Sequence, residues 1–200
     1  MLPRAVDRVL DTPEVNQRRV RACRGLAGTV LEVGFGSGLN VAFYPAEVRR
    51  VLAVEPSEVA WRLAEHRRTT STVSFTRAGL DGERLGLPDA SVDAALSTYT
   101  LCSIPDLPTA LAEIRRVLRP GGALHFLEHG RSPDRSVASW QRRLTPLQSL
   151  LAGGCHLDRA IDALIGAAGL KVVDLTCEYG NGPRPASYLY LGRASKQADG

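Results

Sequence analysis

Apolar residues in this chain fall into short runs separated by polar stretches rich in glycine and proline. Five runs read as strands: Thr29–Val33, Arg50–Val54, Val73–Ala78, Val92–Tyr99 and Ala123–Leu127. Other segments carry the helical period. Between Leu107 and Leu118 the apolar residues stand at 107, 110, 111, 114, 117 and 118, leaving Arg115 and Arg116 on the far face. Thr12-Pro13-Glu14 is a helix start, with a threonine cap and proline in the first turn, and that helix stops at Gly25. Ser57 caps a helix carrying Val59, Trp61, Leu63 and Ala64, and Pro120-Gly121-Gly122 closes the one before the fifth strand. Strand, helix and strand in turn predict a parallel sheet with right-handed crossovers. The chain ends differently. A helix from about Asp158 closes at Gly169, and the runs Lys171–Cys177 and Ser187–Arg193 follow. The loop between those runs, Tyr179–Pro185, is too short for a crossover helix, so they predict an antiparallel hairpin. Ala194–Gly200 reads as a polar, flexible tail.

Composition narrows the class. With 200 residues, 44% hydrophobic and 23% charged, the chain is an ordinary globular domain. No apolar run approaches the roughly 20 residues that cross a membrane, and the first fifteen residues lack the apolar core of a signal peptide. The four cysteines, Cys23, Cys102, Cys155 and Cys177, show no CxxC pairing, which argues against a disulfide framework or a structural zinc site and for a reducing cytoplasm. The net charge is +4, and nearly all the basic charge is arginine, lysine occurring only at 171 and 196, a usage that reads as the codon bias of a GC-rich bacterial genome. The arginines are scattered pairs rather than one stripe with aromatics, so no nucleic-acid partner is expected.

The chemistry is concentrated in Val30-Leu31-Glu32-Val33-Gly34-Phe35-Gly36-Ser37-Gly38. A strand runs into three glycines at alternate positions, which let the backbone turn tightly and a ligand approach without a side chain in the way. The second strand ends in Val54-Glu55, 21 residues after Gly34, where a carboxylate accepts the hydroxyls of a nucleotide ribose. A dinucleotide site has Gly-x-Gly-x-x-Gly, with its pyrophosphate on a helix N-terminus. The present spacing suits a nucleoside without phosphates.

With these residues the chain resembles the class I S-adenosylmethionine (SAM)-dependent methyltransferases from about Gly28 to Arg193. Glu32–Gly38 is similar to the first motif of that family, and Glu55-Pro56-Ser57 to the ribose-binding end of strand two. Leu87–Asp93 resembles its LPDASFD stretch, and Leu118–Gly122 its LRPGG turn. The resemblance implies a Rossmann-like α/β fold with a seven-stranded, mostly parallel sheet and an antiparallel last strand. It implies SAM as cofactor and S-adenosylhomocysteine (SAH) as product. Gly34, Gly36, Ser37 and Gly38 would pass the methionyl and ribose parts. Glu32 would order that loop or reach the methionyl ammonium through water. Glu55 would bind the ribose hydroxyls and Pro56 would flank adenine. Leu80 stands where the family often has an acid, so the adenine amino group would meet Asp81 or a backbone carbonyl. Thr98 and Tyr99 would border methionine and substrate. Asp93 reads as a buttress of strand four, and Phe35 as packing for the loop.

Thr100–Ile104, Phe126–His129, Trp140-Gln141 and Gly153–Arg159 resemble one branch of the family, whose animal members methylate alkyl thiols. Those animal members carry an N-terminal hydrophobic anchor. Here no stable membrane anchor is expected, and residues 1–27 read as a helical lid, of which Leu2–Cys23 is expected to be mobile without ligand, ahead of a catalytic domain over 28–193 and a tail over 194–200. The acceptor is a small molecule, a thiol first. The fold equally serves lipid amines, quinone precursors and secondary metabolites, or a catalytically inactive SAM-binding protein. An RNA acceptor is disfavoured by the absent basic stripe. A neutral base near the methyl group would assist a thiol. His129, beside Glu128, is the candidate, against a reading in which it only hydrogen-bonds in its turn. His156 is the second. Cys102, Glu128, Trp140 and His156 are candidate substrate residues, and Trp140, Tyr99 and Tyr179 candidate walls of an apolar pocket. Cys102 and Cys155 have no partner at zinc spacing and read as small buried hydrophobes, and no acid cluster follows strand four for magnesium, so no metal is expected.

Overall fold

The computed structural model describes residue 7 and residues 9–151 and 153–197. Its seven strands are β1 (Gly28–Val33), β2 (Val48–Val54), β3 (Ser74–Gly79), β4 (Val92–Thr98), β5 (Leu118–His129), β6 (Leu170–Tyr179) and β7 (Tyr188–Lys196). They form one sheet in the order β3-β2-β1-β4-β5-β7-β6. β1 pairs in parallel with β2 and β4, β2 with β3 and β4 with β5, while β7 runs antiparallel to both β5 and β6. Only β7 is reversed, so the predicted terminal hairpin is β6–β7.

The central strands are buried on both faces, as the absence of strict alternation in their sequences implies. Successive residues enter opposite layers: Val30 in one core and Leu31 in the other, Val51 and Ala53 against Leu52 and Val54, Ala94 and Leu96 against Ala95. One layer is closed by α1 (Pro13–Cys23), where Thr12 Oγ1 accepts the Val15 amide and Pro13 occupies the first turn. Cys23 is fully buried, and His125 of β5 hydrogen-bonds the Ala22 carbonyl at 2.9 Å. The short helices α2 (Glu58–Leu63) and α3 (Glu65–Thr69) split at Ala64 what the sequence presents as one. The other layer is closed by α4 (Leu107–Val117), capped by Asp106. Its Leu107, Leu111, Ile114 and Val117 are all at most 1% exposed, each worth roughly 1.5–3 kcal/mol on burial. Arg116, on its outer face, grips Glu113, Asp89 and two carbonyls of the 85–87 loop.

Several boundaries differ from expectation, among them β5, which begins at Leu118 rather than Ala123, so that Pro120-Gly121-Gly122 lies within the strand and the helix before it already ends at Val117. The helix expected from Asp158 begins at Ile161 (α6, Ile161–Ala167). The tail expected from Ala194 begins later: β7 runs on to Lys196, pairing with both neighbours, because Ala194 is fully buried and Lys196 Nζ donates to the Leu118 carbonyl at 2.7 Å. The helix α5 (Arg135–Leu151) has no counterpart in the hydrophobic pattern. It contains Pro146, and Trp140, Leu147 and Leu150 stand exposed on it, so no clean apolar stripe marks it. A four-residue turn of helix, α7 (Arg184–Ser187), leads into β7. Among the described residues no helix is long and apolar enough to cross a membrane.

Candidate active site

The chain leaves β1 for β2 and β3 on one side and takes up β4 and β5 on the other. That switch point opens a crevice at the carboxyl ends of β1 and β4, where ligands bind in sheets of this kind. A cavity of about 490 Å³ lies there, within the range of small-ligand sites. Gly34 and Gly36 hold φ of +77° and +59°. A Cβ on Gly34 would lie inside the Thr100 side chain, so glycine lets the ends of β1 and β4 close together. A Cβ on Gly36 would meet nothing within 4 Å, which leaves its backbone open to a ligand.

Of the cofactor residues expected from the sequence, Gly34, Gly36, Ser37, Glu55, Pro56, Leu80, Asp81, Thr98 and Tyr99 line this cavity. Two do not. A Cβ on Gly38 would stand 3.2–3.3 Å from Ala64 and Phe35, so this glycine serves the packing of the turn. Glu32 is fully buried behind the wall, where its Oε1 accepts from Asn40 Nδ2 at 2.7 Å and its Oε2 from the Tyr44 hydroxyl. It orders the loop through Asn40, which does line the cavity. Glu55 is 6% exposed and accepts the Gly36 and Ser57 amides, each at 2.7 Å. Phe35, buried, packs on Trp61 and Phe75 at centroid separations of 5.5 and 5.7 Å. Asp93 accepts the Thr29 amide and pairs with Arg119, the buttress expected of it.

The amino-terminal helix contributes a residue that the motifs do not announce. Arg19 of α1 is 3% exposed, lines the cavity, and donates from Nη1 to Asn40 Oδ1 at 2.7 Å and Thr98 Oγ1 at 3.0 Å. Its Nε is buried without a hydrogen-bond partner, the state of a guanidinium short of an anion. Asp7 and Leu10 also line the cavity, and Asp7 reaches Ser37 and Arg67. The segment expected to be a mobile lid therefore has Pro13–Cys23 packed into the core. Residues 1–6 and 8 lie outside the described residues.

Burial pushes Glu32 up to about 7, against its hydrogen bonds from Tyr44 and Asn40 and the Arg19 charge, with Glu55 adding to the rise. The native state thus holds a proton that the unfolded chain has released, and stability falls as pH rises from about 4.5 to 7. At roughly 1.4 kcal/mol per pKa unit the loss is about 3 kcal/mol. Urea midpoints of the wild type and Glu32→Gln across that window check this. The wild type loses stability relative to the variant as pH rises, and parallel curves would refute it.

Tyr99 ends β4 with a φ of +56°, a strained value for a tyrosine. Its ring stands 5.0 Å from that of His129, and burial pushes its hydroxyl up to about 12, so the phenol is neutral. The loop that follows supplies Thr100, Ser103, Ile104 and Pro105 to the cavity, and Gly153 faces them.

The remaining substrate and catalytic candidates are not on the cavity wall. His129 stands behind Tyr99 with Nδ1 3.9 Å from Cys155 Sγ. Glu128 is fully buried and accepts from Ser97 Oγ and the Thr100 and Cys102 amides, which ties down the loop after β4. Cys102 is 1% exposed, and its thiol is pushed up by the hydrogen bond with Cys155 and by burial. Trp140 is exposed on α5 beneath Arg143, and Tyr179 hydrogen-bonds Ser132. His156 is held by its amide to the Cys102 carbonyl. The expectation of no metal-ligating group rested on spacing along the chain, yet the fold brings the donor atoms of Cys102, His129 and Cys155 within 4.8 Å of one another.

Known proteins resemble the chain in the same terms. A family model described as a methyltransferase domain matches residues 31–126. Thiol S-methyltransferase TMT1B of Rattus norvegicus is 34% identical over 170 residues, covering 82% of this chain and 67% of that protein. Thiol S-methyltransferase TMT1A of Homo sapiens is 36% identical over 137 residues, covering 66% and 55%. A SAM-dependent methyltransferase structure from Methanosarcina mazei superposes with a TM-score of 0.65 at 18% identity, over 86% of this chain and 93% of that one. With the glycine loop at the switch point, the acid at the end of β2 and the reversed β7, these likenesses show that the chain belongs to the class I SAM-dependent methyltransferases, in the branch that contains the thiol S-methyltransferases.

Proposed function

We propose that the chain transfers the methyl group of SAM to the sulfur of a small aliphatic thiol and releases SAH. The observation that carries the acceptor is the 34% identity, across 82% of the chain, to a thiol S-methyltransferase. The cavity residues fit the cofactor's three parts. Glu55 accepts the ribose hydroxyls while the Gly34–Ser37 backbone runs alongside. Pro56, Leu80 and Asp81 form the adenine side. Arg19, with its unpartnered Nε, and the Asn40–Thr98 pair hold the amino-acid end.

When bound, the sulfonium supplies an activated methyl carbon. What the chain must add is alignment and exclusion of water. Tyr99, Ile104, Pro105 and Gly153 present no charge to the cavity, and such a wall strips water from an attacking sulfur. The thiolate is the nucleophile, a new carbon–sulfur bond forms as the methyl–sulfonium bond breaks, and the thiol proton goes to solvent.

The test is SAH release by the purified protein with SAM and a panel of alkyl thiols, lipid and small amines, and quinols. Thiols are expected to turn over at least about tenfold faster than the others, a difference of about 1.4 kcal/mol in barrier. SAH binding without thiol turnover would overturn the acceptor and leave the family standing.

A further inference from the structure

Behind the wall formed by Tyr99, Ser103 and Gly153, soft donors from three separate segments meet. Cys102 lies in the loop after β4, His129 ends β5, and Cys155 follows α5. Cys102 and Cys155 are 1% and 5% exposed. Their sulfurs are 3.4 Å apart, Cys155 Sγ is 3.9 Å from His129 Nδ1, and all three donor atoms fall within 4.8 Å of one another. Two sulfurs each about 2.3 Å from one tetrahedral ion stand about 3.8 Å apart. The sulfur pair therefore stands within a few tenths of an ångström of the spacing of two ligands of one tetrahedral ion, with the imidazole beside it.

The surrounding backbone holds the donors in place. Gly154 has φ +92°, and a Cβ there would come within 2.9 Å of the Ser103 carbonyl, so a glycine is needed to set Cys155 against Cys102. The His156 amide donates to the Cys102 carbonyl at 2.8 Å, and Arg159 Nη1 to the Leu101 carbonyl at 2.7 Å. From the other side Glu128 accepts the Thr100 and Cys102 amides. Leu157 and Ala186 pack against the two cysteines and keep water away.

From this arrangement we infer that Cys102, His129 and Cys155 form a binding site for a thiophilic divalent cation of the zinc class, with one non-protein ligand at the fourth corner. The donor set selects the metal. Two sulfurs and an imidazole suit zinc, whereas calcium and magnesium take oxygen ligands. Two thiolates also neutralise the charge of a divalent ion, which a buried site requires. The ion would staple the β4–α4 loop, the end of β5 and the α5–α6 loop directly behind the acceptor side of the cavity. The site is independent of which acceptor is methylated.

The test measures metal rather than turnover. Full-length protein purified with a reductant and supplemented with zinc is dialysed and its metal content measured. The metal-free protein is then titrated with cobalt(II), whose absorption reports thiolate ligands and tetrahedral geometry. One zinc per chain is expected, with a cobalt spectrum of two thiolates. Cys102→Ser and Cys155→Ser should each weaken zinc binding by more than about 100-fold, beyond what changes outside the ligand shell produce. Cys177→Ser should leave it unchanged. Far-UV circular dichroism and SAH binding keep a folding failure distinct from a lost ligand. No zinc or cobalt bound by the reduced wild type, or equal binding by the serine variants, would overturn the site. So would a chain that binds no metal after reduction and is isolated with a Cys102–Cys155 disulfide.

Discussion

Glu55→Gln is expected to weaken SAH binding by about 100-fold, and kcat/KM for methyl transfer by at least as much. In the structure the two carboxylate oxygens of Glu55 accept the Gly36 and Ser57 amides, so the side chain pins the glycine loop to the start of α2. In the proposed complex it also accepts the ribose hydroxyls. Glutamine keeps the shape but turns one of the two acceptors into a donor, which then faces an N–H donor or a hydroxyl already oriented to give its proton. Charge-assisted hydrogen bonds are worth roughly 1.5–3 kcal/mol, and a buried donor left unsatisfied costs about 1–3 kcal/mol more, so a 100-fold loss is the scale expected. Calorimetric titration with SAH measures it, and thermal melting of the variant without ligand checks that it folds. A loss below about threefold in a folded variant would mean that Glu55 serves the loop alone.

Arg19→Met is expected to be the most destabilising of the substitutions considered. Arg19 is a buried cation whose burial pulls its pKa down, and it is tied through Asn40 to the buried Glu32. Removing one partner of a buried charge pair typically costs about 3–5 kcal/mol, because the other charge is stranded. For a domain of this size that is a fall in Tm of roughly 6–20 °C. The cost is expected to be greater at pH 8 than at pH 5.5, since burial holds Glu32 near 7 and in acid it is already protonated. Arg19→Met combined with Glu32→Gln should recover much of the loss, a coupling that a double-mutant cycle reads directly. SAH affinity should stay low in the double variant, since the proposed anchor for the amino-acid end is gone. Recovery of binding along with stability would assign Arg19 to the fold and not to the ligand.

The glycine loop, the acid 21 residues further on and the order of the elements are local properties of the chain, and they were legible. Periodicity reports which face of each element is buried, and the positive φ values of Gly34 and Gly36 are what alternate glycines permit. Nine of the eleven residues expected to meet the cofactor line one cavity for that reason. Glu32 and Gly38 are the two that do not line it: Glu32 orders the loop from behind the wall through Asn40, one of the two roles expected of it, and Gly38 serves the packing of the turn, because proximity in sequence to the loop does not say on which side of the wall a residue falls. The acceptor side was much less legible. Cys102, Glu128, Trp140 and His156 were chosen from a resemblance between stretches of sequence, and three of them are held by contacts inside the fold while Trp140 faces outward.

Sequence alone determined the parallel core of the sheet, its terminal hairpin and the glycine loop, because these follow from the spacing of apolar residues and from glycines whose backbone requirements are local, while the resemblance of its motifs carried the family. Tertiary structure alone decided that Arg19, 15 residues before Gly34, closes the cavity, that His129 is screened from it by Tyr99, and that Cys102, His129 and Cys155 face one another. The physical reason is common to all three. Each depends on contacts between segments that the chain separates and only the packed sheet and its two helical layers bring together, and no period or spacing along the sequence encodes such distances.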